Sequence, residues 1–302
     1  MAALMLTLGR GALTGIGKHP SAEAELPPVR LTAPAVRIDP ARLAAYAEVC
    51  GFASGGGRLS GGARSSGSDR LSGGGRLSGG DRLSGRDRLP LTYPHILGFP
   101  LAARIMAARA FPLPMLGLVH TSIDLVAYAP LTAADRPDIT AYAAGLRRHR
   151  RGTEAELVTE ARLDGELVWR DRSTYLARHG ATPVRDKGSA PAEGAGLPAV
   201  AEWRLPADLG RRHARVSRDW NPIHLYPLTA RPFGFPRAIA HGMWTVARCA
   251  AQNPDAERLR AAFHAPVLLP TTVTYAADGS AFEVRSGSGT GSGVRVHLTG
   301  TM

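Results

Sequence analysis

The sequence predicts an α+β protein made of two similar halves, each a helical stretch followed by antiparallel strands. Three observations carry that expectation. Between Leu116 and Leu176 a helical pattern gives way to four strand-length segments, and the Asp164-Gly165 pair between the last two is a strong hairpin signal. Beyond Trp203 the chain runs through the same order again. Between the two runs, Gly180 to Pro198 is rich in Ala, Pro and Gly, as a linker would be.

The elements follow in order. Residues 1–27 form an N-terminal extension, and "DPARLAAYAEVCGF" is a helix with Asp39 as N-cap and Pro40 at its first position. From Ser54 to Arg88 an R-L-S-G unit recurs about every six residues, too short a period for a solenoid. Glycine and serine dominate that segment and its large apolar residues are isolated leucines, so it cannot repay the entropy of ordering and is expected to be a disordered insertion. "YPHILGFPLAARIMAARAF" holds a second helix, and strands are expected in "LGLVHTSIDLVAYAPL", "DITAYAAGLRRH", "TEAELVTEARLD" and "ELVWRDRSTYLAR". The boundaries that result are a first half at 28–178, a linker at 179–200 and a second half at 201–302. The second half contains "DLGRRHARV" and "AHGMWTVARCAAQ" as helices, then "APVLLPTTVTYAA", "AFEVRSGS" and "GVRVHLTG" as strands. Gly-Phe-Pro occurs at Gly98 and again at Gly234, each time just ahead of an expected helix, as a duplication would leave it.

Composition narrows the function classes. A chain of 302 residues with 44% apolar content can bury its own core without a staple. Cys50 and Cys249 lie far apart and form no C-x-x-C pair, which favours reduced thiols over a disulfide and leaves zinc without a cage. The N-terminus lacks a charged n-region, Arg10 interrupts it, and no run approaches the roughly 18 apolar residues of a membrane span. A cytoplasmic protein is expected.

A net charge of +12 would suit a nucleic-acid partner, but the charge is in the wrong places. Seven arginines against three aspartates between Ser54 and Arg88 account for a third of the excess, in a segment with no aromatic residue for base stacking. The other dense cluster, Arg147 to Arg151, reads as a strand end or turn. No basic helix or recognised nucleic-acid module accompanies either, and nucleic acid is not expected as a principal partner.

The most informative stretch is "RVSRDWNPIHLYP", Arg215 to Pro227, followed by "AIAHGM", Ala238 to Met243. Asp and Asn cap turns through their own side chains, and the residue before a proline avoids the helical region, so D-x-N-P could simply end a helix. It could equally set a site. Asp219 and His224, five apart, point to opposite faces in a strand and fall off register in a helix, but a turn at Asn221-Pro222 brings them onto one wall. A carboxylate and an imidazole together make an acid/base pair near neutral pH. Gly242 falls near the start of an expected helix, where free N–H groups and the dipole favour a negative oxygen. His241 beside it is expected to be structural and hydrogen-bonded. No G-x-S-x-G, P-loop, G-x-G-x-x-G or H-E-x-x-H motif is present, so nucleotide, nicotinamide and zinc-hydrolase chemistry lose their support.

Taken together, "RVSRDWNPIH" and "GFPRAIAHGM" resemble the signature of the MaoC-like, (R)-specific enoyl-CoA hydratase 2 family, in which S-G-D-x-N-P-[LIV]-H is followed by I-x-H-G-M. "LPLTYPHILGFPLAARIMAARAFPLPMLGLVH" is similar to the N-terminal part of its two-domain members. The resemblance implies a double hot-dog fold, each half a long helix wrapped by a curved antiparallel sheet. The first half lacks the loop and the H-G pair, which implies a non-catalytic domain that makes room for the acyl chain. The implied roles are water activation by Asp219 and His224, thioester-oxygen binding by the Gly242 N–H, and support from Asn221, Ser217 and His241. Arg218 stands where the family has glycine: either the glycine is needed for a positive φ and Arg218 strains the loop, or Arg218 lies at the surface, where it could reach coenzyme A phosphates.

The implied substrate is a trans-2-enoyl or (R)-3-hydroxyacyl thioester of coenzyme A or acyl carrier protein, with no metal and no redox cofactor. A homodimer is a further partner to consider. Two alternatives remain open at the level of sequence: a hot-dog domain that binds acyl thioesters or an acidic carrier protein without turnover, and an acyl-CoA thioesterase.

Overall fold

The computed structural model describes residues 18–52, 88–115, 117–179, 196–287 and 293–302. Those residues form ten strands in one antiparallel sheet with helices laid against it. In chain order the first half contributes β1 (Arg30–Ala33), α1 (Pro40–Cys50), α2 (Tyr93–Ala107), β2 (Val119–Ala127), β3 (Asp138–His149), β4 (Gly152–Leu163) and β5 (Glu166–Arg178). The second contributes β6 (Ala199–Leu205), α3 (Leu209–Ser217), a 3-10 turn (Pro222–His224), α4 (Pro227–Ala230), a second 3-10 turn (Arg231–Phe233), α5 (Gly242–Ala250), β7 (Arg258–Phe263), β8 (Thr271–Asp278), β9 (Ala281–Ser286) and β10 (Arg295–Thr301).

The strand order is β1-β3-β4-β5-β2-β7-β10-β9-β8-β6. Read outward from the β2–β7 pair, the two halves match strand for strand, so the duplication is real in topology. The Gly-Phe-Pro match is not part of it: Gly98 to Pro100 lies inside α2, whereas Gly234 to Pro236 precedes α5. The seam between halves is itself a strand pair, Ser122 opposite Ala262 through Val126 opposite Arg258. Asp124 reinforces it by accepting from Arg258 at 2.8 Å and Arg260 at 2.9 Å.

Local chemistry explains most boundaries. The Asp39 side chain accepts from Ala41 N at 2.9 Å and Pro40 opens α1, while Gly51 ends it at φ 77°. Asp164 (φ 49°) and Gly165 (φ 86°) make the β4–β5 turn with two successive positive φ values, as tight hairpins require. The arginine run at 147–151 straddles the β3–β4 turn, with Arg147 paired to Glu154 at 2.6 Å. The strand expected in "APVLLPTTVTYAA" begins only at Thr271, because Pro270 has no N–H for the ladder; Val267 and Leu269 pair with Ala240 and Ala238 instead. Sequence alone missed β1, β6 and β7. Of the expected linker, residues 180–195 lie outside the described residues, and Ala199 and Val200 open β6. The expected insertion lies outside them as well, apart from Arg88, which bridges to Thr132.

α2 is the most buried helix, with Ile96, Ile105 and Met106 each at most 4% exposed, and it packs on β3 and β4. Burying each such side chain stabilises the fold by about 1.5–3 kcal/mol. α1 packs against α3 and α5 of the other half, and Trp244 Nε1 donates to Val49 O at 2.8 Å. The hydrophobic core is therefore shared between halves. Among the described residues no helix is long and apolar enough to cross a membrane.

Candidate active site

The polar loop begins where α3 ends. Arg218 terminates that helix in the left-handed region, φ 67° and ψ 12°, with its N–H bonded to Ala214 O at 2.8 Å and its side chain exposed. This explains why a glycine would suit the position: a Cβ there strains the backbone by about 1 kcal/mol. Arg218→Gly is therefore expected to raise stability by about 1 kcal/mol in denaturant titration, and to leave catalytic rates within a factor of about two. A loss of stability would show that the Arg218 side chain does more than cap.

Backbone bonds then hold Asp219 on three sides. Its N–H donates to Ser217 Oγ at 3.2 Å, its carbonyl accepts from His241 Nε2 at 2.9 Å, and its Oδ1 accepts from Asn221 N at 3.1 Å. Asn221 in turn caps the 3-10 turn, its side chain accepting from Ile223 N at 3.4 Å. Gly210 of α3 lies against the carbonyl of His224; a Cβ there would come within 1.9 Å of that oxygen, so only glycine lets helix and loop approach.

Asp219 Oδ2 is left facing two imidazoles, His241 Nε2 at 3.7 Å and His224 Nε2 at 4.0 Å. The tautomers follow from the acceptors. His224 Nδ1 donates to Ile239 O at 2.9 Å, so its Nε2 carries a bare lone pair. His241 Nε2 donates to Asp219 O, so its Nδ1, buried without a partner, is the bare one. Hence His224 Nε2 and Asp219 Oδ2 are two acceptors 4.0 Å apart with no proton of their own to share. A water oxygen about 2.8 Å from each would give one hydrogen to either side.

The surroundings keep the imidazoles uncharged. Burial, with His241 alongside, pushes His224 down to about 3, although the Asp219 carboxylate pulls the other way. Burial likewise lowers His241, and takes His213 well below the ordinary imidazole value. His224 stacks on His241 at 3.7 Å between centroids, and His213 packs on His241 at a tilt, 4.6 Å away. Asp219, His224 and His241 each offer a ligand atom within 4.8 Å of the others, the donor set of a metal site. Their hydrogen bonding does not suit one: His241 Nε2, the nitrogen that faces Asp219 Oδ2, already donates to Asp219 O.

Gly242 is the first residue of α5, and His241 precedes it with extended backbone. A Cβ on Gly242 would lie 2.8 Å from Phe263 Cε1. Phe263 begins a ladder of rings that sequence reasoning missed: it packs on His120 at 4.6 Å, and His120 stacks on Tyr175 at 4.6 Å. The three come from β7, β2 and β5, so the ladder crosses the seam from the second half into the first. Further along β5, Asp171 accepts from Ser173 Oγ at 2.8 Å and pairs with His95 of α2. Nothing local marks the ladder, because each of its contacts joins strands far apart in sequence.

Asp219, His224, Asn221, Ser217, His241 and Gly242 thus converge, and Arg218 stands outside at the surface. Residues 197–294, which include all of them, match the family model for a MaoC like domain. The 3-hydroxyacyl-thioester dehydratase X of Mycobacterium tuberculosis is 33% identical over 261 residues, covering 84% of this chain and 82% of that protein. The crystal structure of HtdX from Mycobacterium tuberculosis is similar with a TM-score of 0.68 at 30% identity, over 90% of this chain and 98% of that one. A MaoC-like dehydratase from Phytophthora capsici shares the fold, TM-score 0.58 at 15% identity, over 93% and 97% of the two chains. The architecture is accordingly the expected α+β double hot-dog.

Proposed function

The chain belongs to the MaoC-like dehydratase family, and we propose that it hydrates trans-2-enoyl thioesters and dehydrates (R)-3-hydroxyacyl thioesters at the Asp219–His224 pair. The observation that carries this is the pair of bare acceptors 4.0 Å apart, which calls for a water or a substrate hydroxyl between them. In hydration the water oxygen bonds to C3 as one of its protons passes to the pair, and a proton is delivered to C2. The π electrons move toward the thioester oxygen, held by the Gly242 N–H, and return when C2 is protonated. A preorganised donor at such an oxygen is worth about 3 kcal/mol. Dehydration runs the same steps backward. Water addition has no net change of oxidation state, so the reaction as drawn calls for no redox group.

Under this proposal residues 28–178 form the non-catalytic hot-dog that accommodates the acyl chain, and residues 201–302 the catalytic one. The acyl group arrives on coenzyme A or on acyl carrier protein. The test is loss of enoyl absorbance when the protein meets crotonyl-CoA and longer enoyl-CoA substrates, with chiral analysis of the product. Thiol release without loss of the enoyl group would instead assign a thioesterase. Gly242→Ala pushes a methyl into the Phe263 ring and is expected to lower kcat/KM about 10- to 100-fold while the melting temperature moves little. An unchanged kcat/KM would remove Gly242 from the site.

A further inference from the structure

Six large apolar side chains among the described residues stand well exposed, and three of them fall in one eight-residue stretch: Tyr226 at 51%, Leu228 at 73% and Phe233 at 37%. That stretch follows directly on His224. It is a braced ridge rather than a loose loop. Thr229 Oγ donates to Pro222 O at 2.6 Å and accepts from Tyr226 N at 3.2 Å, Ala230 is fully buried beneath it, and Pro227 and Pro232 fix the backbone. Rigid apolar side chains held outward in a cluster mark an interaction surface.

The ridge has a basic rim. Between Arg204 and Arg237 seven arginines stand against two aspartates, and one of those two is Asp219 in the site. The Arg211 guanidinium lies 4.7 Å over the Tyr226 ring and donates to Leu225 O at 2.9 Å, while Arg231 within the stretch and Arg237 four residues beyond it are exposed. The mouth of the site is close by in the chain, with the Asp219 side chain 23% exposed.

We propose that the Tyr226–Phe233 ridge docks an acidic carrier protein that presents the acyl thioester on a flexible arm. Apolar residues of the carrier lie on Tyr226, Leu228 and Phe233, and its carboxylates face Arg211, Arg231 and Arg237. Free coenzyme A has no apolar surface to set against an exposed Leu228. A second copy of this chain, docked face to face, would set arginine against arginine. The proposal rests on the thioester activity above and names the form in which the substrate arrives.

The test compares one acyl group on two carriers: crotonyl-CoA and crotonyl thioester on purified bacterial acyl carrier protein. Leu228→Glu and Arg231→Glu, both surface changes, are expected to raise KM for the carrier-protein substrate at least tenfold and to leave KM for crotonyl-CoA within twofold. Equal effects on both substrates, no effect on the carrier-protein substrate, or a dimer that Leu228→Glu dissociates in light scattering would overturn it. Calorimetric titration with unacylated holo carrier protein reads docking without turnover. Binding that Leu228→Glu abolishes supports the ridge even if the wild type hydrates nothing, in which case the activity alone falls.

Discussion

Asp219→Asn is expected to lower hydration of crotonyl-CoA by about 10²- to 10⁴-fold, the range that a positioned proton-transfer group contributes. The substitution keeps the shape of the side chain and can keep an oxygen for the Asn221 N–H. It places an NH₂ donor where Oδ2 faces the bare lone pair of His224 Nε2 at 4.0 Å. One of the two acceptors becomes a donor, so a water between them can no longer give one hydrogen to each side. His224→Gln removes the other acceptor and is expected to cost as much, because the two groups hold one molecule between them. Melting temperatures within a few degrees of wild type would show that the loss is chemical. Near wild-type rates in either variant would sink the assignment.

Stability is expected to fall steeply in mild acid. His213, His224 and His241 are held neutral by burial, and so is His120, pushed to about 3 by burial and by His95. In the unfolded chain each titrates near 6.5. Between about 6.5 and about 3 the unfolded state therefore takes up protons that the folded state refuses, so stability is full above the unfolded value and is lost as pH falls below it. His224 and His120 each contribute a slope of about 1.4 kcal/mol per pH unit in that window, and His213 and His241 act in the same direction, which is large against a typical total of about 5–15 kcal/mol. Denaturant midpoints at pH 7.5, 6.5 and 5.5 should decline with widening steps. His213→Phe should flatten the decline, since both His213 nitrogens are buried without partners. Equal midpoints at pH 7.5 and 5.5 would mean that the cluster opens to water and charges without cost.

Much of the site was legible because it is local. Asp219, Asn221, Pro222 and His224 sit within six residues, and the Asx turn and 3-10 turn that bring them together form from their own side chains and backbone. Helix starts at Asp39 and Gly242 and the Asp164-Gly165 turn were readable for the same reason. Strands β1, β6 and β7 were not. Segments such as "RLTA" and "RLRAAF" do alternate, but over only four and six residues, too few to stand out, and they are strands because a neighbouring edge pairs with them.

The sequence by itself determined the α+β class, the family signature and the residues that meet at Asp219, since turn chemistry and helix capping act over a few residues. Tertiary structure decided the rest. The tautomer of His224 depends on Ile239 O, and the neutrality of the histidines on burial. The Tyr175–His120–Phe263 ladder exists only because β5, β2 and β7 become neighbours across the seam. Desolvation and strand pairing are properties of surroundings, and those surroundings come from parts of the chain more than a hundred residues away.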